Sequence, residues 1–357
     1  MKKIYLGIIL LLLVTSGAFL ISFSHFNVSL TAMNQYGSSQ SSNVTMVFTG
    51  DVMFGRGVGA VLNSNQNIFG DLKPIFKGSD LVVVNLESPF TNSNINFKKT
   101  VPLKADPKFA HILKDNNVDL VGLANNHIMD YGPVGLNDTL TTLDKYNITH
   151  MGAGENLQEA LQPAYFNING KKIAIINFID LTTFQGFSNS ELPPATNNSP
   201  GSAPAEWNIV KNSIDTAKNQ SDIVIVFFHY GNEYSFSPNK YQTDLSRKCI
   251  DEGADLVVGS HPHVPQEIES YKGKLIFYSL GNCVFDQSNP ITKNSMIVQL
   301  QIVNGNADFT VIPIHIANSI PRIMDNSQAN TFLNKINLES NIKMNIENGK
   351  GILNMSI

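Results

Sequence analysis

Cysteine is almost missing from this 357-residue chain, which carries only Cys249 and Cys283. Two thiols cannot build a disulfide framework, and their spacing excludes a CxxC metal or redox motif. A single bridge between them and a pair of buried free thiols are equal readings. Charge is also sparse, at 15% of residues, with a formal net charge of −4. That balance is too mild to recruit nucleic acid, and lysine and arginine are scattered rather than gathered on one face. No nucleic-acid partner is therefore expected, and no internal repeat stands out. What remains is a chain that is 42% hydrophobic and long enough to bury a sizeable core, with one large domain preferred over two small ones.

There is one long hydrophobic run. Ile4 to Phe23 is almost wholly apolar, follows Lys2 and Lys3, and has the length of a bilayer-crossing helix. Residues 1–23 are read as a single-pass transmembrane anchor in the cell membrane, with the lysines cytoplasmic and the bulk of the chain outside. The alternative is a signal peptide cleaved near Ser16-Gly17-Ala18, which would leave the chain secreted. The run continues through Phe19-Leu20-Ile21 past that site, and no cysteine is there to accept a lipid, so the anchor is preferred. Residues 24–43 turn to Ser, Asn and Gln and read as a flexible stalk.

From Val44 onward, strand-like and helix-like segments alternate. Val44–Phe48, Leu81–Asn85, Leu120–Ala124, Lys172–Phe178, Ile223–His229, Leu256–Gly259 and Leu275–Ser279 are unbroken apolar runs, the pattern of strands covered on both faces. Helical patterns lie between several of them, at Pro107–Asn116, Gly135–Tyr146 and Gln242–Glu252. This alternation predicts an α/β fold. The Pro-, Ser- and Asn-rich segment 192–204 reads as a surface excursion. The stretch Ser327–Leu338 has the apolar spacing of a helix, which predicts a helical extension over 321–357.

In such folds ligands sit on loops at the carboxyl ends of strands. Asp51, Glu87, Asn126, His229 and His261 all fall there. Each has an ordinary reading when taken singly: Asp51 or Glu87 as a cap, Asn126 as a turn residue, His229 as a satisfied core histidine. His261-Pro262-His263 is harder to explain without a cation to bind. Five coincident positions outweigh any one motif, and together they predict a metal centre.

Imidazole, carboxylate and amide donors in combination suit Zn, Mn or Fe better than Ca, which prefers all-oxygen sites. Such ions, one or two of them, would supply hydroxide and offset charge in phosphoester hydrolysis, and a carboxylate can bridge two ions about 4 Å apart. His127 lies beside Asn126 and three residues before Asp130. It is the candidate to protonate a leaving group, with Asp130 orienting its ring. Arg56 and Asn125 are candidates for binding an anionic substrate, whereas Lys104 reads better as solvated surface charge.

Several strings make a specific resemblance: Gly50-Asp51-Val52-Met53-Phe54-Gly55-Arg56, Asn85-Leu86-Glu87-Ser88-Pro89, Ala124-Asn125-Asn126-His127 with Asp130-Tyr131-Gly132, Phe228-His229-Tyr230-Gly231, Gly259-Ser260-His261-Pro262-His263 and Tyr278-Ser279-Leu280-Gly281-Asn282. In this order, over about residues 44–320, the chain resembles the CapA family of capsule- or poly-γ-glutamate-synthesis proteins, a branch of the calcineurin-like metallophosphatases. The resemblance implies a four-layer α/β/β/α metallophosphatase-like sandwich over 44–320. It implies Asp51 and His263 as ligands of a first metal, Asn126, His229 and His261 as ligands of a second, Glu87 between them, and His127 as the catalytic histidine.

Two positions depart from the wider superfamily. Met53 stands where a histidine is expected, and a thioether is a poor ligand for such ions. Glu87 replaces an aspartate and reaches one methylene further. The resemblance implies work on an anionic extracellular polymer beside a membrane-bound ligase and export complex, an ATP-dependent amide ligase with a small membrane subunit. Alternatives from other classes are a non-catalytic polymer-binding or scaffold subunit and a secreted phosphodiesterase or phosphatase.

Overall fold

Alternation within the apolar runs decides how many layers the protein has. In the strand Val44–Val52, Met46 and Phe48 enter one core while Val47 enters another, because successive side chains of a strand leave opposite faces. The computed structural model describes residues 43–64, 67–97, 101–183, 192–303 and 305–356. Among these, ten strands form one sheet and six form a second. In the larger sheet, Val44–Val52, Leu81–Leu86, Leu120–Gly122 and Thr149–Met151 run parallel in that order. In the smaller, Lys171–Ile179, Ile223–His229, Leu256–Ser260 and Lys274–Phe277 do the same.

Between the sheets, Met46, Phe48, Val83 and Leu120 meet Ile175, Ile225, Phe227 and Val258. Outside the larger sheet, Val47, Val82 and Val84 pack on Val58 and Leu62 of the helix Arg56–Asn63 and on Leu136 and Leu143 of the helix Gly132–Lys145. Outside the smaller sheet, Ile176, Val224 and Val226 pack on Val210 and Ile214 of the helix Trp207–Lys218 and on Leu245 and Cys249 of the helix Lys240–Glu252. The layers therefore run α/β/β/α, as expected. Each fully buried side chain of this size contributes about 1.5–3 kcal/mol.

The boundaries follow local chemistry. Asn239 and Gln242 cap one another reciprocally, which starts the helix at Lys240, and Gly253 at φ +111° ends it. Pro133 fits a first helical turn, so the helix expected from Gly135 begins at Gly132. The segment 107–116 divides into a 3₁₀ turn, Pro107–Ala110, and a short helix, His111–Asp115.

Three expectations change. Cys249 and Cys283 are free and buried in different cores, so the bridge reading falls. Burial pushes the Cys283 thiol up to about 12 and the Cys249 thiol higher still. Residues 201–205 are not a surface excursion: Gly201–Ser202 pairs with Ala153–Gly154, and Ala203 and Ala205 are buried. The tail is helical only over Asn326–Glu339, where Leu333 and Ile336 enter the core between the sheets. It then returns as a hairpin whose last strand, Lys350–Ser356, pairs with Asn306–Ala317 of the larger sheet. The apolar run Ile4–Phe23 lies outside the described residues, among which no helix is long and apolar enough to cross a membrane.

Candidate metal centre

Parallel strands deliver the candidate ligands to one edge of the molecule. Asp51 lies inside its strand, beyond a register shift after Phe48, where it pairs with Asn85 and Asn282. Glu87 immediately follows Leu81–Leu86, and His229 ends Ile223–His229 opposite Ser260. His261 follows Leu256–Ser260, and Asn126 and His127 occupy the loop after Leu120–Gly122. All are buried, with Asp51, Glu87 and His229 at 0% exposure.

Two clusters result. Ligand atoms of Asp51, Glu87 and His263 lie within 4.8 Å of one another, and so do those of Glu87, His229 and His261. Glu87 belongs to both clusters. Asn126 joins the second cluster, its Oδ1 lying 2.9 Å from His229 Nε2. Asp51 Oδ2 lies 3.2 Å from His263 Nδ1. The other nitrogen of His263, Nε2, faces Glu87 Oε1 at 3.8 Å. The His229 and His261 ring centroids are 4.6 Å apart. Such buried carboxylates and imidazoles form a set that a divalent cation satisfies.

His261 and His263 hold φ values of +99° and +60°, left-handed conformations that cost about 1–3 kcal/mol each in a non-glycine residue. Strain of this kind persists only where surrounding contacts overdetermine it. Here the His261 amide donates to Asp51 Oδ2 at 3.4 Å, and His263 Nδ1 sits 2.9 Å from Asn282 Oδ1.

His127 Nδ1 lies 2.6 Å from Asp130 Oδ2, which also accepts the Leu103 amide at 2.7 Å. The buried carboxylate fixes the ring and leaves Nε2 facing Glu87 Oε1 at 3.8 Å. Asn125 is committed internally. Its Nδ2 donates to the Leu86 carbonyl at 2.8 Å, and its Oδ1 accepts the His127 and Ile128 amides at 3.0 Å. It therefore shapes the loop that presents His127, rather than offering an open contact to substrate. Arg56 is half-exposed and paired with Asp286; it stacks over Phe285, whose ring in turn lies 5.0 Å from His263. The pair borders a cleft of about 420 Å³ with Tyr234 and Gln287. Lys104 is partly buried over Tyr131 and donates to the Ser93 carbonyl, so solvated surface charge does not describe it. Met53 turns its sulfur to the Gly55 amide at 2.9 Å and packs in the core.

Three supports were not read from the sequence. Asn85 Nδ2 donates to Asp51 Oδ1 at 2.8 Å and lies 3.3 Å from His229 Nδ1, linking the two clusters. Ser260 Oγ lies 3.2 Å from His229 Nδ1, and Asn282 steadies His263. The available signal was Asn85 itself, a polar residue in the apolar run Leu81–Leu86. Glu233, on the loop after His229, also comes within ligand distance of His261 and His263.

Burial, the largest single influence on His263, disfavours its charged form. Its bond to Asp51, the Asp51 and Glu233 charges and the Asn282 contact outweigh burial and raise it above the ordinary 6.5. In the metal-free protein, the stability this proton brings is fully present below about 6.5 and is lost as pH rises through the raised value. An incoming cation must expel that proton. Affinity for Zn²⁺ or Mn²⁺ should therefore climb with pH through this window and then level off. Calorimetric titrations between about pH 6 and pH 8.5 check this, and a flat profile would remove His263 from the ligand set.

Residues 45–287 match the family described as bacterial capsule synthesis protein PGA_cap. The PGA biosynthesis protein CapA of Bacillus subtilis (strain 168) is 40% identical over 312 residues, covering 85% of this chain and 80% of that one. The capsule biosynthesis protein CapA of Bacillus anthracis is 34% identical over 290 residues, covering 79% and 70%. Among solved structures, a hypothetical protein from Thermus thermophilus aligns with a TM-score of 0.45 and 16% identity, over 78% of this chain and 96% of that one. With the family's motif residues gathered at one edge of two sheets, and a match spanning most of the described chain, this protein belongs to the bacterial capsule synthesis (PGA_cap, CapA-like) family.

Proposed function

We propose that the chain is a membrane-anchored, extracytoplasmic CapA-like protein that acts in making or exporting an anionic polymer, a capsule or poly-γ-glutamate, through a metal-dependent hydrolase site. The observation that carries the hydrolase reading is Glu87, a fully buried carboxylate common to two imidazole-bearing clusters, with the His127–Asp130 pair aimed at it. Asp51, Glu87 and His263 would hold one ion, and Glu87, Asn126, His229 and His261 a second. An ion held there, Zn, Mn or Fe by donor chemistry, supplies Lewis acidity and offsets charge on the transferring group.

The chain's own residues do the rest. Asp130 engages Nδ1 of His127, so Nε2 is the atom that passes a proton to a leaving group. Asn125 and Ile128 hold the loop so that this nitrogen faces the clusters. Arg56 stands at the rim, where an anionic chain would approach from solvent. A bilayer anchor over residues 1–23 and a stalk to residue 43 would place this head beside a membrane-bound ligase and export complex.

A binding or scaffold role draws on Met53, whose sulfur serves the Gly55 amide and leaves the first cluster one imidazole short. Metal analysis of the full-length chain in detergent, with turnover of an aryl phosphate diester, separates the two readings. His127→Asn should keep its ions and lose about 100-fold in turnover. His261→Ala should lose the second ion and turnover together. Metal bound by the wild type without turnover would favour the scaffold role, and a folded wild type that takes up no ion would sink the hydrolase.

A further inference from the structure

The loop after His229 brings an additional carboxylate to the same centre. Ligand atoms of Glu233, His261 and His263 lie within 4.8 Å of one another. Glu233 is exposed while the two imidazoles are buried, so it approaches from solvent, whereas Glu87 approaches from the interior. Its position is built by the backbone. The Tyr230 amide donates to the Ser260 carbonyl at 3.1 Å, and the Tyr234 amide donates to the Pro262 carbonyl at 2.8 Å. These two bonds flank Glu233 and lock its loop in register with His261-Pro262-His263. Further along, Gln266 Nε2 donates to the Ser235 carbonyl at 2.9 Å, and Gln242 Nε2 donates to Gln266 Oε1 at 2.9 Å.

The donor count gives this placement a purpose. His263 is shared with the Asp51–Glu87 cluster and His261 with the Glu87–His229 cluster, so Glu233 spans the outer side of both. The side chain that could have added a donor beside Asp51 is Met53, and it is turned to the Gly55 amide. We infer that Glu233 is an outer carboxylate ligand of the ion held by Asp51, Glu87 and His263, a borderline divalent cation whose coordination it completes and to which it ties the 230–235 loop. The inference rests on the metal-centre reading and adds to it a residue outside the strings quoted above.

The test compares full-length wild type, Glu233→Gln and Asp286→Asn, in detergent, by Mn²⁺ calorimetry and by the visible spectrum of the Co²⁺-loaded protein. Asp286 is an acidic residue of the cleft beside Tyr234, where it pairs with Arg56, so its variant controls for the loss of one negative charge. The expected result is that Glu233→Gln weakens one ion by more than the roughly 10–100-fold that loss of an outer-shell partner costs. It should also change the Co²⁺ band, while Asp286→Asn leaves both near wild type. Metal-free melting should match wild type, because Glu233 is exposed. A wild-type affinity and spectrum in Glu233→Gln overturns the assignment of Glu233 alone, as does an equal weakening in Asp286→Asn. A wild type that binds no Mn²⁺ or Co²⁺ overturns this inference and the metal-centre reading together.

Discussion

Glu87→Gln is expected to strip the protein of every ion at once and to take turnover to background. The substitution keeps the side chain's size and removes its charge, and Glu87 is the residue common to both ligand clusters. Changing His229 or His263 instead should lose one ion and spare the other, since each belongs to one Glu87-containing cluster. The stability readout should run in the opposite direction. A buried carboxylate is expensive to desolvate, so without metal the variant should melt at or slightly above wild type. Ion-induced stabilisation, about 4 kcal/mol at a thousand-fold excess over Kd, should vanish. Melting with and without Zn²⁺ or Mn²⁺, together with ion counting after dialysis, gives the comparison. A Glu87→Gln protein that still carries two ions would mean that the clusters are independent sites.

The second large effect lies one residue before a ligand. A Cβ on Gly50 would stand 1.6 Å from the carbonyl oxygen of Gly281, an overlap of backbone with backbone that no rotamer change relieves. The Asp51 amide donates to that same carbonyl at 3.1 Å, so the close approach is what seats Asp51. Gly50→Ala must push the strand Val44–Val52 away from Asn282–Val284 and should cost more than about 4 kcal/mol, the range reserved for a named structural failure. For a domain of this size that corresponds to a fall of at least about 6 °C in Tm. Gly273→Ala is the control. It sits at φ +78° with nothing within 4 Å of where a Cβ would stand, so it meets only the left-handed penalty of about 1–2 kcal/mol. If the two variants melt alike, the crossing at Gly50 is not what holds the centre together.

Much of this was legible in the chain. Unbroken Val, Ile and Leu runs located the parallel strands, because a strand covered on both faces has no polar side to show. His261-Pro262-His263 stood out as a loop with two imidazoles, and the structure buries both beside Asp51 and Glu87. Less legible was anything that depends on register. Thr49-Gly50-Asp51 reads as a turn by local rules, yet the strand continues to Val52 because Asp51 finds partners on both sides, in Asn85 and Asn282. Asn85 and Ser260 become meaningful only when Asp51 and His229 are known to lie beside them. Glu233 is an ordinary loop acid until two main-chain bonds set it against the histidine loop. The final hairpin carried a local signal that the helical reading of the tail overlooked: Asn348-Gly349, at φ +50° and +72°, makes the tight turn that returns the chain to the sheet.

The handedness of the backbone at residues 261 and 263 also sets how the site can drift. Positive φ excludes β-branched and bulky side chains and admits mainly glycine, asparagine, aspartate and histidine. Apart from glycine, all of these can donate to a cation. Random replacement at either position is thus filtered by main-chain geometry toward glycine or residues able to coordinate. A loop of this shape keeps donor-bearing side chains at both positions through most of the replacements it can accept without strain.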